Sequence, residues 1–144
     1  MENTVTSHFV GKVAQKAVII RDGSVLLIRD PREKVAEICE LPGGRLDDGE
    51  EPKSGLVREL KEELGIDIVV HEVIQIEQFL QGNKGNKGKR ALMIAYRATL
   101  KEENQPFVLS SEEIAEARFV PLEEALKLNL FKVYKRTLEV FLNK

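Results

Sequence analysis

The sequence predicts an α+β domain of layered α/β/α type, on three observations. Residues 13–30, VAQKAVIIRDGSVLLIRD, hold two β-rich runs joined at Asp22-Gly23, a pair suited to the left-handed backbone of a tight hairpin. A helix with clear start and stop signals, about 52–64, has strand-like segments on both sides of it. A second helical stretch, about 131–142, places Val133, Leu138, Phe141 and Leu142 where they can pack on a core. At 144 residues the chain reads as one domain, 1–144, long enough to bury a core.

After the hairpin, residues 36–41 give a short third strand that ends at the turn Leu41-Pro42-Gly43-Gly44, followed by a loop over 45–51. Pro52 suits the first turn of the next helix, where its missing N–H costs nothing, and Gly65 suits the stop. Strands over 67–80 and 89–100 flank QGNKGNKG, a loop by its glycine and asparagine content. Residues 112–120 lead into a short strand ending at Pro121, and helices follow at about 122–128 and 131–142. Periodicity alone does not specify the strand order.

Composition narrows the function. With 22 basic and 24 acidic residues the net charge is −2, so no broad electrostatic footprint for nucleic acid is expected. A single cysteine, Cys39, excludes an internal disulfide and sits in the apolar run EICELP, where a buried inert thiol is expected. His8 and His71 lack zinc-site spacing. The amino-terminal residues lack the apolar core of a signal peptide, and no apolar run approaches the ~18 residues that would span a bilayer. The expectation is a cytoplasmic protein.

Residues 44–66, GRLDDGEEPKSGLVRELKEELGI, carry the functional signal. On a helix turning about 100° per residue, Glu62 and Glu63 fall at roughly −60° and +40° from Glu59, so three carboxylates share a face. Val57, Leu56, Leu60 and Leu64 form a separate apolar stripe that can pack on a sheet. Carboxylates this close repel one another unless a cation joins them, and hard oxygen ligands suit Mg²⁺. The spacing of Gly44, Glu50, Arg58-Glu59, Leu60, Glu62-Glu63, Gly65 and Ile66 meets every fixed position of the Nudix box. The segment resembles that signature closely, and the rest of the chain resembles the family more weakly.

The resemblance implies a Nudix-type α/β/α sandwich with a mixed β-sheet between helices. It also implies a hydrolase that cleaves a diphosphate linkage in a nucleoside diphosphate derivative or nucleoside triphosphate, with Mg²⁺ as cofactor and Mn²⁺ as a substitute. Glu59, Glu62, Glu63 and the carbonyl of Gly44 are then the expected metal ligands. Glu59 is the first choice of general base, and the region of Glu112, Glu113 and Glu116 is the second source of a base or a further ligand. Arg58 is expected to pair with Glu50 and orient the glutamates rather than touch substrate. Arg29 and Arg45 are expected to bind phosphate oxygens through their guanidinium forks.

Lys84, Lys87, Lys89 and Arg90 either form a solvated hairpin tip or close over substrate. Phe79 and Tyr96 read as core aromatics rather than a base platform. The expected partner is a small nucleotide, with no stable nucleic-acid complex and no membrane; a homodimer is compatible with the sequence. Two other readings are a non-catalytic nucleotide-sensing domain and an RNA 5′-end pyrophosphohydrolase. The intact set of box carboxylates argues against the first, the acidic balance against the second. The residues Leu80, Gln81, Gly82 and Asn83 fall where some family subgroups carry a proline or tyrosine that marks substrate, and hold neither.

Overall fold

The computed structural model describes residues 7–30, 38–81, 88–110 and 112–143. Strand β1 (Lys12–Arg21) turns into β2 (Ser24–Arg29) through Asp22 and Gly23, whose φ angles of 50° and 76° are those of a two-residue I′ hairpin. Then come β3 (Cys39–Glu40), β4 (Gly43–Arg45) and helix α1 (Pro52–Leu64). Strands β5 (Ile68–Leu80) and β6 (Arg90–Leu100) pair antiparallel. Strand β7 (Glu116–Pro121), helix α2 (Leu122–Ala125) and helix α3 (Lys132–Leu142) follow.

The sheet runs β3-β2-β1-β6-β5, with β4 added to β1 and β7 to β2. It is mixed: β1 and β6 are parallel, whereas the other pairs are antiparallel. Opposite β6, the other edge of β1 pairs with β4 over Ala14–Lys16 and with β2 at Ile20–Arg21. This exchange of partner splays the sheet, and a cleft of about 140 Å³ opens among β1, β2, β3 and β4.

Side-chain alternation along β1 builds two cores. Ala17 and Ile19 join Leu26, Leu56, Leu60 and Leu64 under α1. Val18 joins Leu27, Met93, Tyr134 and Leu138 under α3. Helices therefore cover both faces of a mixed sheet, as the α/β/α expectation required. Cys39 is buried, and Tyr96 and Phe79 belong to the cores. No helix among the described residues is long and apolar enough to cross a membrane.

Several boundaries differ from the sequence reading. Glycine content marked Gly43-Gly44 as a turn, yet Gly43–Arg45 form β4, because the backbone of β1 lies close alongside. The third strand shortens to Cys39–Glu40, with residues 36 and 37 outside the described residues. Helix α2 ends at Ala125, after which the chain turns to bring Leu130 to Cys39. In α3, Leu142 is 43% exposed, so the apolar contact of this helix is made by Val133, Leu138 and Phe141 instead. Lys84 and Lys87 lie outside the described residues; Lys89 and Arg90 are exposed.

Candidate active site

Helix α1 is fixed at both ends by local chemistry. Pro52 opens it, and the Glu51 carboxylate accepts the backbone N–H groups of Lys53 and Ser54 at 3.1 and 3.3 Å. Gly65 closes it in the left-handed region, with φ of 68°, and returns its N–H to the Lys61 carbonyl at 3.0 Å. Leu56, Leu60 and Leu64 are fully buried, as the apolar stripe predicts. Gly55 is a poor helix former in mid-helix, and its neighbours explain it. A Cβ there would lie 2.7 Å from the Glu50 carboxyl and 3.2 Å from the Gln15 amide.

Arg58 is the hub of the loop–helix junction. Its Nε and Nη2 donate to the two oxygens of Glu50 at 2.7 and 3.1 Å. It also donates to Asp47 at 3.2 Å, to Glu59 at 3.2 Å and to Glu62 at 3.0 Å. The Arg58 bond, helped by the Asp47 backbone N–H, holds the Glu50 pKa below its ordinary value. Asp47 has no place in the sequence reading, because nothing local marks it as an arginine partner.

The three glutamates of α1 are not equivalent. Glu62 is exposed and tied to Arg58. Glu59 is largely buried and lies so close to Gly44 that a Cβ at that position would strike its carboxyl carbon. Burial raises the Glu59 pKa, and Arg58 opposes that rise. Glu63 is buried, with its Oε1 lacking any hydrogen-bond partner. Burial foremost, then the Glu59 and Glu113 carboxylates, push it up to about 8 against the pull of Lys16.

Of the three later glutamates, the fold brings Glu113 to the cleft beside Glu63. The preceding loop is tied to the end of α1, with Ser110 and Val108 donating to the carbonyls of Glu63 and Leu64 at 2.9 Å each. Glu116 instead faces Arg29 at 3.8 Å and Arg118 at 3.6 Å, and Glu112 is exposed. Strand alternation sets Arg29 opposite Ile28, which packs under α1, and Arg45 opposite Gly44, which faces Glu59. Neither arginine lines the cleft.

Sequence reading also passed over Lys16, Glu40 and Gln15. Lys16 is buried in β1, with Nζ 3.5 Å from Glu40 Oε1 and 5.4 Å from the centre of the Tyr134 ring. Burial disfavours its charge; Tyr134, Glu40 and Glu63 outweigh that and raise its pKa. The available signal was the adjacent polar pair Gln15-Lys16 inside a β-rich run. Gln15 is fully buried with neither amide atom bonded, against the same helix turn as Glu50.

In this conformation no three acidic, histidine or cysteine side chains among the described residues form a ready cation cage. Arg58 occupies part of the carboxylate surface. The donor set nonetheless fits a hard divalent ion: Glu59 held against Gly44, an unpartnered oxygen on Glu63, and Glu113 beside it. Raised carboxylate pKa values mark oxygens that gain by meeting a cation.

The carboxylate-rich helix thus borders a cleft in a mixed-sheet sandwich. The chain belongs to the NUDIX domain family, which matches residues 12–141. It is 31% identical over 119 residues to the ADP-ribose pyrophosphatase of Bacillus subtilis (strain 168), covering 82% of this chain and 62% of that protein. It is 41% identical over 63 residues to the CTP pyrophosphohydrolase of Escherichia coli (strain K12), covering 43% of this chain and 47% of that one. The chain thus spans about half to three-fifths of these two relatives. Among solved structures, the MutT NUDIX hydrolase of Burkholderia pseudomallei superposes with a TM-score of 0.74 at 25% identity, covering 89% of this chain and 95% of that one. The E. coli ORF135 protein gives 0.73 at 27% identity, covering 92% and 89%.

Proposed function

We propose that this protein is a divalent-metal-dependent hydrolase that attacks with water a diphosphate linkage in a nucleoside diphosphate derivative or nucleoside triphosphate. The observation that carries the reading is Glu63 and Glu113 at the cleft, with the Glu59 charge acting on Glu63, while Arg58 and Glu50 lock the loop to the helix. NUDIX hydrolases generally use divalent metals, and Glu59, Glu62, Glu63, Glu113 and the Gly44 carbonyl would hold Mg²⁺ or Mn²⁺ here. Such an ion neutralises phosphate oxygens and lowers the pKa of bound water.

The protein's own groups do the rest. Arg58 spreads its donors over four carboxylates and so fixes their separation before substrate arrives. Glu59 and Glu113 are the candidates to take a proton from the attacking water, each by a carboxylate oxygen. Glu113, anchored through the loop to α1, is favoured over Glu112 and Glu116 for that part. Arg29 and Arg45 both alternate away from the carboxylate face, and Arg29 is also engaged by Glu116, so neither is assigned the phosphate contact.

The relatives' names point to different substrates: CTP, ADP-ribose and, over 57 residues, 8-oxo-dGTP in Proteus vulgaris. They support the reaction class and leave the leaving group open. The test is a panel of nucleoside triphosphates and diphosphate sugars with Mg²⁺ or Mn²⁺, read as release of phosphate, pyrophosphate or monophosphate. Turnover that requires the metal is expected. A folded protein that binds nucleotides and turns over none of them would reassign it to sensing.

A further inference from the structure

Gln15 reaches from β1 to the underside of α1. It is 0% exposed, and neither its amide nitrogen nor its amide oxygen has a hydrogen-bond partner. An unpaired buried amide costs stability, and an apolar side chain would fill the same space without that cost. Its surroundings show what the amide could serve. In the sheet Gln15 stands opposite Gly44, the residue against which Glu59 is held. Its Nε2 would lie 3.2 Å from a Cβ on Gly55, and Glu50 Oε1 would lie 2.7 Å from that same point. The glycine thus lets an amide donor and a carboxylate acceptor approach each other beneath the helix.

In this conformation Glu50 Oε1 accepts instead from Arg58 Nη2 at 3.1 Å and from the Asp47 backbone N–H at 3.2 Å. That Nη2 is overcommitted. The same nitrogen donates to Asp47 and to Glu59 at 3.2 Å each, so its hydrogens are shared among three carboxylates. Nη1 serves Glu62 at 3.0 Å. Glu59 and Glu62 are among the residues that would hold a divalent ion. A guanidinium and a divalent ion on the same carboxylates repel each other, so Arg58 must yield part of that face. Its shortest contact, Nε to Glu50 Oε2 at 2.7 Å, lies on the other oxygen of Glu50 and can be kept.

We propose that Gln15 is a positioning residue of this site, whose Nε2 takes over Glu50 Oε1 from Arg58 when a divalent cation is held by the carboxylates. The exchange keeps the loop locked to the helix while Arg58 gives up its bonds to Glu59 and Glu62. Gln15 therefore favours the cation-loaded state and costs stability in the cation-free one. The inference rests on the divalent-metal part of the function proposed above.

The experiment compares wild type with Gln15→Met, which keeps the length of the side chain and loses both hydrogen-bonding atoms. Without metal, Q15M should melt about 2 °C or more above wild type, because an unpaired buried amide is gone. Its Mn²⁺ affinity, read from the electron paramagnetic resonance of the free ion, should nonetheless fall about tenfold or more, the range for groups that orient metal ligands. A side chain with a purely structural part would move both in one direction or leave Mn²⁺ binding unchanged. In wild type, Mg²⁺ should also shift the side-chain amide NMR signal of Gln15, assigned by its loss in Q15M. Mn²⁺ affinity in Q15M within about twofold of wild type overturns the inference, as does an amide signal that Mg²⁺ leaves in place. A metal-free Q15M that melts at or below wild type, or does not fold, overturns it too, since the amide is then satisfied before any cation binds. A wild type that binds Mn²⁺ and hydrolyses no nucleotide leaves this inference standing and removes the proposed hydrolysis. One that binds no divalent ion removes both.

Discussion

At Glu63 burial and like charge act together. The side chain is buried, its neighbours Glu59 and Glu113 are carboxylates, and its pKa is pushed up to about 8 from 4.5. Between those values the folded chain holds a proton that the unfolded chain has released. Stability of the metal-free protein therefore falls as pH rises through that window. Glu50 acts in the opposite sense: its lowered pKa contributes stability above the ordinary carboxylate range that is lost as pH falls through its folded value. Melting temperature without metal should thus decline from about pH 5 to about pH 8. Glu63→Gln, neutral throughout, should flatten that decline, and Mg²⁺ should stabilise wild type more at the upper end. An E63Q melting curve with the wild-type slope would contradict the assignment. The sequence identified Glu63 but not its burial, since a helical wheel shows that three glutamates share a face without showing how near the sheet lies to one side of it. Lys16 went unread because strand alternation gives its face only once the pairing of β1 is known.

At the scale of elements, α1 was legible in full because its signals are local. Pro52, Gly65 and the Leu56, Leu60, Leu64 stripe act within the helix itself. The strands around it were less so. β4 exists only because Gly43 and Gly44 pair with β1 some thirty residues earlier, and glycine content alone argues for a turn. The loop between β4 and α1 is held by Arg58 through a bidentate contact to Glu50 and further bonds to Asp47, Glu59 and Glu62. Arg58→Lys keeps the charge but replaces a planar fork with a point donor, so several of these contacts are lost together. Its expected effect is a roughly 10- to 100-fold rise in the Mg²⁺ concentration for half-maximal activity, the range for residues that orient metal ligands. The fold should persist, because α1 is anchored by its leucines. Wild-type Mg²⁺ dependence in R58K would show that the clamp does not orient the carboxylates.

Across the whole molecule, the sheet separates two cores with different responsibilities. The α1 layer, built on Leu60, sits directly behind the glutamates, whereas the α3 layer, built on Leu138, supports Tyr134 and the Lys16 wall of the cleft. Both leucines are fully buried, so Leu60→Ala and Leu138→Ala should each cost about 2–5 kcal/mol of stability. Their functional consequences should diverge. A cavity behind α1 lets the helix shift, and Glu59 is the residue next to Leu60, held against Gly44 with no room to spare. L60A should therefore weaken Mg²⁺ activation by about tenfold or more, since ligand oxygens must be held to within a few tenths of an ångström. L138A should leave Mg²⁺ activation within about twofold of wild type, because the sheet stands between its cavity and the carboxylates. Titrating Mg²⁺ against turnover for both variants, at a temperature where each is fully folded, measures the difference. Equal shifts in the two would mean that the layers are mechanically coupled through the sheet, and that the carboxylate helix is not positioned by its own core.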